Sequence, residues 1–324
     1  MKRISDDIKS GNLKQIYLLY GEETYLRKQY RDMLKKAIVG DDDMNYSYYE
    51  GKDINVNALI DQAETMPFFA DKRLIVIENS GFLKQGGEEL SEYLKDIPES
   101  TYFVIVEAEA DKRSKLFKIC KDKGVAAEML AQDDRSLKIW IAKKLNAANK
   151  KMTEKDAEAL LDTVGVDMVN LSNEIEKLIS YTGDREVVTA SDIENICVKQ
   201  ISSHIFDMIE AIGNRQQQRA LELYYELLSL KEPPFRILAL IARQFNLLLQ
   251  TKELMLNNAS KNDIATKIKV NPYFVNKYTS QASKFDMSAL KNALTACVQA
   301  DEDIKTGIVS DRLSVELLIV EFSK

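Results

Sequence analysis

A glycine loop near the start of the chain is the first place where residue types and spacing suggest chemistry. The apolar run at residues 15–20 ends at Gly21, and an amphipathic helical pattern follows at residues 25–38. A strand, a glycine loop and a helix form the setting of a nucleotide-binding phosphate loop, in which backbone N–H groups cradle the phosphates. A lysine then reaches the phosphates and a hydroxyl group holds magnesium, which is the chemistry of an ATPase.

The residue types that this chemistry requires are missing. The pattern G-x-x-x-x-G-K-[ST] needs a glycine, a lysine and a hydroxyl where the chain has Leu26, Arg27 and Lys28. Glu22 and Glu23 would repel a phosphate, although acidic side chains suit the N-terminus of a helix. The sequence therefore predicts the fold of a nucleotide-binding domain without ATPase activity. The degenerate phosphate loop comprises Gly21, Glu22, Glu23 and Thr24.

Residue counts argue against the other common catalytic and metal-binding constellations. A single histidine, His204, argues against histidine-rich metal sites and a Ser-His-Asp triad, and it is expected to cap or pack a helix. The cysteines, Cys120, Cys197 and Cys297, are odd in number and far apart, which argues against disulfides or zinc and favours a reducing cytoplasm. We therefore expect no catalytic residue, no metal and no cofactor.

Two adjacent phenylalanines form a second feature that requires an explanation. Pro67 ends a helical pattern, and Phe68 and Phe69 follow in a predicted turn before a strand. Neighbouring side chains point in different directions, so both rings cannot easily face one core. One interpretation buries both rings beneath the sheet. The other exposes them as an aromatic interface hot spot, with Lys72 and Arg73 as its polar rim.

The elements that position these loops belong to an α/β domain. Three runs, at residues 15–20, 74–77 and 102–106, are too apolar to have a solvated face. Weaker strand patterns occur at residues 45–50 and 125–130, and helical patterns separate the strands. Continuous apolar strands that alternate with helices predict a parallel sheet covered on both faces.

Beyond residue 132 the sequence predicts helices only. A length of 324 residues favours two or three domains. We expect an α/β domain at residues 1–132, a small helical domain at 133–200 and a helical C-terminal domain at 201–324. Within the last, Pro233 and Pro234 are typical of a helix start. Residues 235–249 are apolar almost all round, which predicts a buried central helix.

Four segments of the chain together resemble one known family. They are residues 17–26 (YLLYGEETYL), 65–74 (TMPFFADKRL), 241–245 (IARQF) and 300–322. In this order, and in a chain of this size, they resemble the delta subunit of bacterial DNA polymerase III, the wrench of the clamp loader. The resemblance extends over essentially the whole chain.

The resemblance implies a fold and a function. The N-terminal domain would be AAA+-like without hydrolysing ATP, the middle domain lid-like, and the C-terminal domain an oligomerisation collar. A hydrophobic wedge would bind and open the beta sliding clamp for loading onto primed DNA. By position, this clamp-binding set would be Met66, Pro67, Phe68, Phe69 and Arg73.

The resemblance also implies the partners of the chain. They would be the beta clamp, the tau/gamma and delta-prime subunits of the loader, and primer-template DNA within the assembled loader. No membrane is expected, because the sequence has no apolar stretch long enough to span one and the start of the chain lacks the apolar core of a signal peptide. We expect a cytoplasmic replication protein.

One segment favours a rival function. Residues 263–275 have the pattern of a helix-turn-helix, which would make the protein a DNA-binding regulator. However, Lys269 occupies the turn position where glycine is preferred, and Pro272 falls in the first turn of the would-be recognition helix. We therefore favour a helical hairpin of the C-terminal domain.

Basic residues are scattered along the last domain. Arg215, Arg219, Lys231, Arg236 and Arg243 could contact neighbouring subunits or the DNA backbone, or could form a solvated helix face. A formal net charge of -6 argues against a protein that coats nucleic acid by bulk charge. Arg243 lies in an otherwise apolar helix, so we expect it to pair with a carboxylate or a partner subunit.

Overall fold

The computed structural model describes residues 1–324 and divides into two units, Met1–Ala131 and Gln132–Lys324. The predicted division into three domains, with boundaries after residues 132 and 200, is finer than this and stays a prediction.

Five parallel strands form the sheet of the first unit. The strands are β1 (Ile16–Tyr20), β2 (Tyr46–Glu50), β3 (Arg73–Glu78), β4 (Thr101–Glu107) and β5 (Val125–Glu128). Their order across the sheet is β2-β3-β4-β1-β5. Every residue of β1 and β3 is buried, as expected for parallel strands with both faces covered. This confirms the predicted α/β architecture, a parallel sheet whose strands alternate with helices.

Helices follow each of the first four strands, and three of the four begin at a residue whose side chain caps the first turn. The helices of this unit are α1 (Lys2–Ser10), α2 (Thr24–Ile38), α3 (Val56–Glu64), α4 (Glu88–Tyr93) and α5 (Lys115–Lys123). The side chains of Asn55 and Ser114 accept hydrogen bonds from backbone N–H groups in the first turns of α3 and α5. Such N-caps satisfy donors that the helix itself leaves free. Capping therefore fixes where these helices begin.

The second unit is helical, as predicted. Its helices are α6 (Asp134–Ala147), α7 (Glu154–Val164), α8 (Met168–Thr182), α9 (Ala190–Ile196), α10 (Ile201–Gly213), α11 (Gln217–Ser229), α12 (Pro234–Leu256), α13 (Lys261–Ile268), α14 (Val275–Ser283), α15 (Met287–Lys305) and α16 (Asp311–Phe322). A short 3-10 helix, Pro272–Phe274, precedes α14. No helix combines the length and the apolar character that crossing a membrane requires.

Helix α12 is the centre of the C-terminal core. It begins at Pro234, as predicted, and packs against α10, α14, α15 and α16. Ile241 and Phe245 are fully buried there. The predicted buried central helix is confirmed, although Phe235 in its first turn is 61% exposed.

The segment with the helix-turn-helix pattern is a helical hairpin. Helix α13 is followed by Lys269, which adopts the left-handed conformation (φ 55°) in place of the glycine that such turns favour. Helix α14 packs on α12, and the buried Gln244 side chain donates a hydrogen bond to Gln281 of α14 (2.6 Å). Because α14 is committed to this packing, the hairpin serves the core of the second unit.

Candidate docking site

Residues 65–72, between α3 and β3, form an apolar surface that we call the docking loop. Met66 is 84% exposed, Phe68 56% and Phe69 95%. Single apolar side chains are common on protein surfaces, but three large ones within four positions form a patch typical of an interaction site. The structure thus exposes the aromatic pair, and the alternative that both rings lie beneath the sheet is wrong.

Phe69 is unusual in its backbone as well as in its exposure. Its φ of 49° is left-handed, a conformation that costs a residue with a Cβ about 1–2 kcal/mol. Its ring meets that of Phe68 edge to face, with centroids 4.5 Å apart and planes at 82°. Strained backbone that presents side chains to solvent is characteristic of functional sites, since stability alone would not select it.

Asn45 holds the backbone of the docking loop from behind. Its fully buried side chain accepts a hydrogen bond from the Phe68 N–H (2.7 Å) and donates one to the Phe68 carbonyl (2.9 Å). Its own backbone carbonyl accepts from the Leu74 N–H (2.8 Å), which ties it to β3. Sequence analysis missed Asn45, because it lies 23 residues before Phe68 and no local pattern links the two.

Arg73 supports the same loop and is not part of its rim. The side chain is only 3% exposed; Nε donates to the Thr65 carbonyl (3.0 Å) and Nη2 to the Met66 carbonyl (3.2 Å). These carbonyls follow the end of α3, where a helix leaves acceptors without partners. The predicted position in an exposed polar rim is therefore wrong for Arg73. Lys72 is half-buried, with its ammonium 5.5 Å from the centre of the Tyr102 ring.

The degenerate phosphate loop is closed by the chain itself. Gly21 has a φ of 125°, and a Cβ there would lie 2.3 Å from the carbonyl oxygen of Met129. The Glu23 N–H donates to that same carbonyl (3.0 Å), and the Glu23 carboxylate accepts from the Tyr25 N–H (3.1 Å). The N–H groups of Glu23 and Tyr25 are thus engaged by groups of the protein.

The other two residues of this loop also have internal partners. One Glu22 carboxylate oxygen accepts a hydrogen bond from the Ala131 N–H (3.2 Å). The Thr24 hydroxyl accepts one from the guanidinium of Arg27 (3.1 Å), the residue that replaces the lysine of a phosphate loop. Arg27 is only 6% exposed, so it points into the protein rather than toward a bound anion.

The carboxylate at the end of β3 is engaged as well. Glu78 is 5% exposed and accepts hydrogen bonds from Arg31 (2.5 Å) and from the Tyr48 hydroxyl (3.2 Å). A nucleotide site would use a carboxylate at this strand end to hold its metal ion. Here the guanidinium of Arg31 neutralises that carboxylate.

The four arginines singled out in the second unit differ in their surroundings. Arg219 and Arg236 each pair with a nearby glutamate, at 3.2 and 2.9 Å. Arg215 adopts a left-handed conformation (φ 58°) in the turn after α10. Arg243 is exposed on α12 and has no carboxylate partner within the chain, contrary to the first of its two predicted pairings. Arg215 and Arg243 thus remain available for contacts outside the chain.

Two sequence families match the chain. The family described as "DNA polymerase III, delta subunit" matches residues 17–129, and "DNA polymerase III delta subunit, C-terminal domain" matches residues 202–322. The first match contains both the docking loop and the degenerate phosphate loop.

Individual relatives extend this similarity to the whole chain. The DNA polymerase III subunit delta of Bacillus subtilis is 29% identical over 98% of this chain and 95% of its own length. The probable DNA polymerase III subunit delta of Aquifex aeolicus is 22% identical, over 89% of this chain and 85% of its own length. The solved structure of the Bacillus subtilis DNA clamp loader delta protein is 27% identical, with a TM-score of 0.79 over 99% of both chains.

Proposed function

This chain belongs to the DNA polymerase III delta-subunit family, and from that premise we propose that it binds the beta sliding clamp through its docking loop and favours the open ring. The bound, opened clamp would then be loaded onto primed DNA during replication. The observation that carries this proposal is the exposed pair of Phe68 and Phe69 on a strained backbone that buried side chains hold in place.

The aromatic pair is large enough to supply the energy of docking. Two phenylalanine side chains can bury roughly 300 Å² between them, which at about 25 cal/mol per Å² is worth up to about 7.5 kcal/mol before the costs of association. Met66, 84% exposed beside them, adds to the apolar area. The remaining residue of the proposed clamp-binding set, Pro67, restricts the backbone just before the pair.

Opening the ring requires more than tight binding. A ligand shifts a two-state equilibrium only by its difference in affinity for the two states, and moving it from 1:99 to 99:1 takes about 10⁴-fold, or about 5.5 kcal/mol. The burial energy of Phe68 and Phe69 is of this size, and it favours opening only to the extent that it is gained on the open ring alone. We therefore propose that the two rings fit the open clamp better than the closed one.

We also propose that this subunit is not an enzyme by itself and that partner subunits hydrolyse ATP. The engaged N–H of Glu23, the glutamates of the phosphate loop and the Arg31–Glu78 pair support this, since they bond or repel the groups through which a nucleotide and its metal ion would bind. Isothermal titration with ATP and magnesium is expected to show no binding, and the isolated chain no turnover. Saturable binding at the loop would contradict this part of the proposal.

The second unit is proposed to join the subunit to the tau/gamma and delta-prime subunits, with a lid-like part at residues 133–200 and a collar at 201–324. Leu313 and Leu317, one helical turn apart on α16, are 47% and 54% exposed, which supports a protein contact there. Arg215 and Arg243 are available for subunits or for primer-template DNA. A cytoplasmic location agrees with three unpaired, buried cysteines.

The test of clamp binding compares the wild-type chain with Phe68→Ala/Phe69→Ala on immobilised beta clamp. We expect the affinity to fall roughly 100-fold or more, as hot-spot aromatics usually do on truncation. The thermal midpoint should not change, because both rings are exposed. A folded double variant that binds the clamp normally would overturn the proposal. Tight, sequence-dependent DNA binding by the isolated chain would instead favour a DNA-binding regulator.

A further inference from the structure

We infer that Asn45 is a positioning residue that presets the docking loop for its partner without touching it. The inference rests on the proposed function and concerns how the loop is held before the clamp arrives. Asn45 is fully buried just before β2, whereas the aromatic pair is exposed. Its influence on binding must therefore pass through the backbone of Phe68.

The hydrogen bonds of Asn45 use both ends of its side-chain amide. Oδ1 accepts from the Phe68 N–H (2.7 Å), while Nδ2 donates to the Phe68 carbonyl (2.9 Å) and to the Asp42 carboxylate (2.7 Å). The Asp42 carboxylate in turn accepts from the Met44 N–H (2.9 Å). Accepting the bond from Asn45 holds the pKa of Asp42 below its usual value. Asp42 therefore orients the amide, and the amide holds Phe68.

This arrangement accounts for the backbone of Phe69. A phenylalanine in the left-handed region with its ring in water gains nothing locally that offsets the cost of about 1–2 kcal/mol. The residue before it is fixed by two hydrogen bonds to Asn45, and the carbonyls of Thr65 and Met66 are fixed by Arg73. Loss of either support lets Phe69 relax toward ordinary backbone angles and turns its ring away from the docking geometry.

A preset loop binds more tightly than a mobile one with the same side chains. The apparent dissociation constant equals the intrinsic one divided by the fraction of molecules whose loop is competent. Replacing Asn45 removes two hydrogen bonds to Phe68, so the competent fraction falls. We expect Asn45→Ala to weaken clamp binding roughly tenfold.

The kinetics of clamp binding separate positioning from contact. Asn45→Ala should lower the association rate constant roughly tenfold and leave dissociation nearly unchanged, because the bound contacts are intact. Phe69→Ala, which removes a contact, should mainly accelerate dissociation. Asp42→Ala removes the carboxylate that accepts from the Asn45 amide, so the amide is held less firmly and a roughly threefold slower association is expected. Ser114→Ala, which removes the N-cap of α5 in the same unit, is the matched control for lost stability.

A second measurement needs no clamp. Chymotrypsin cleaves after exposed aromatic residues once the backbone can enter its active site, so cleavage within the docking loop reports loop opening. Asn45→Ala and Asp42→Ala should accelerate this cleavage, and Ser114→Ala should not.

Asn45→Asp adds a test of pH dependence, since the carboxylate that replaces the amide cannot donate to the Phe68 carbonyl and repels Asp42. As the pH falls from about 8 to about 5, a proton shared by the two carboxyls should restore part of the association rate.

The outcomes distinguish failure of the inference from failure of the proposed function. If Phe69→Ala weakens clamp binding while folded Asn45→Ala and Asp42→Ala variants bind and resist chymotrypsin like wild type, the positioning role is wrong and the proposed function stands. If Phe69→Ala binds normally, the proposed function itself fails. If Asn45→Ala does not fold, the Asp42→Ala variant decides, because its mutated side chain is not part of the buried core.

Discussion

The docking loop and the degenerate phosphate loop lie at opposite ends of the strands of one parallel sheet. The docking loop leads into the start of β3, and the phosphate loop follows the end of β1. In both loops, other groups of the chain form hydrogen bonds with backbone N–H or carbonyl groups. Asn45 and Arg73 do so at the docking loop, and the carbonyl of Met129 and the carboxylate of Glu23 do so at the phosphate loop.

The two loops differ in which of their groups these internal hydrogen bonds leave exposed to solvent. At the docking loop the polar groups are engaged from behind, so the apolar rings of Phe68 and Phe69 face solvent. At the phosphate loop the internal bonds engage the N–H groups of Glu23 and Tyr25, so these two donors face groups of the chain. Internal hydrogen bonding thus leaves apolar rings exposed at one end of the sheet and engages backbone donors at the other.

The largest effect on the free energy of unfolding is expected from adding a Cβ at Gly21 in the phosphate loop. Gly21→Ala places a Cβ against the Met129 carbonyl, at 2.3 Å, on a backbone with a φ of 125°. Strain and clash together should lower the free energy of unfolding by about 3 kcal/mol or more. Urea denaturation measures the loss. Under native conditions clamp affinity should be unchanged, because the docking loop is at the other end of the sheet.

The matched control is Gly11→Ala, since Gly11 has a φ of 72° but no heavy atom within 4 Å of the place that a Cβ would occupy. It should cost only the backbone strain, about 1 kcal/mol. Equal losses for the two glycine variants would mean that Met129 does not close the loop tightly.

The sequence predicts the sheet well because its strands are determined locally. The runs at residues 74–77 and 102–106 are short, apolar and rich in β-branched residues, which is typical of a strand covered on both faces. The loss of the phosphate loop was predictable for a similar reason, since the pattern requires particular residue types at residues 26–28. That Met129 supplies the closing carbonyl was not, because it comes from a different strand end.

The docking loop was predictable in composition but not in conformation. Whether two adjacent phenylalanines are buried or exposed depends on the φ of Phe69, and left-handed backbone at a bulky residue has no sequence signature. Asn45 was missed because its role arises only when β2 pairs with β3. Arg73 was misplaced because a charged residue beside a turn is usually exposed, whereas here the carbonyls of Thr65 and Met66 hold it inside.

A smaller effect is expected from removing the support beneath the docking loop. Arg73→Met keeps much of the volume but leaves the Thr65 and Met66 carbonyls without their donor, which should cost about 1–2 kcal/mol of stability. Clamp affinity should fall as well, because the loop is no longer held. Thermal unfolding and clamp binding, measured side by side, check both. Arg113→Met, at a side chain that is 89% exposed, should change neither.

The smallest effect concerns the carboxylate that caps α2. Glu23→Ala removes the acceptor of the Tyr25 N–H, so the free energy of unfolding should fall by about 1 kcal/mol, as for other lost N-caps. It should not create a nucleotide site, because the N–H of residue 23 still donates to the Met129 carbonyl and Arg27 still points inward. Titration with a fluorescent ATP analogue measures this. Micromolar binding of the ATP analogue by Glu23→Ala would show that the Glu23 carboxylate alone keeps phosphate out. The contrast between the two loops would then depend on one side chain and not on the hydrogen bonds of their backbones.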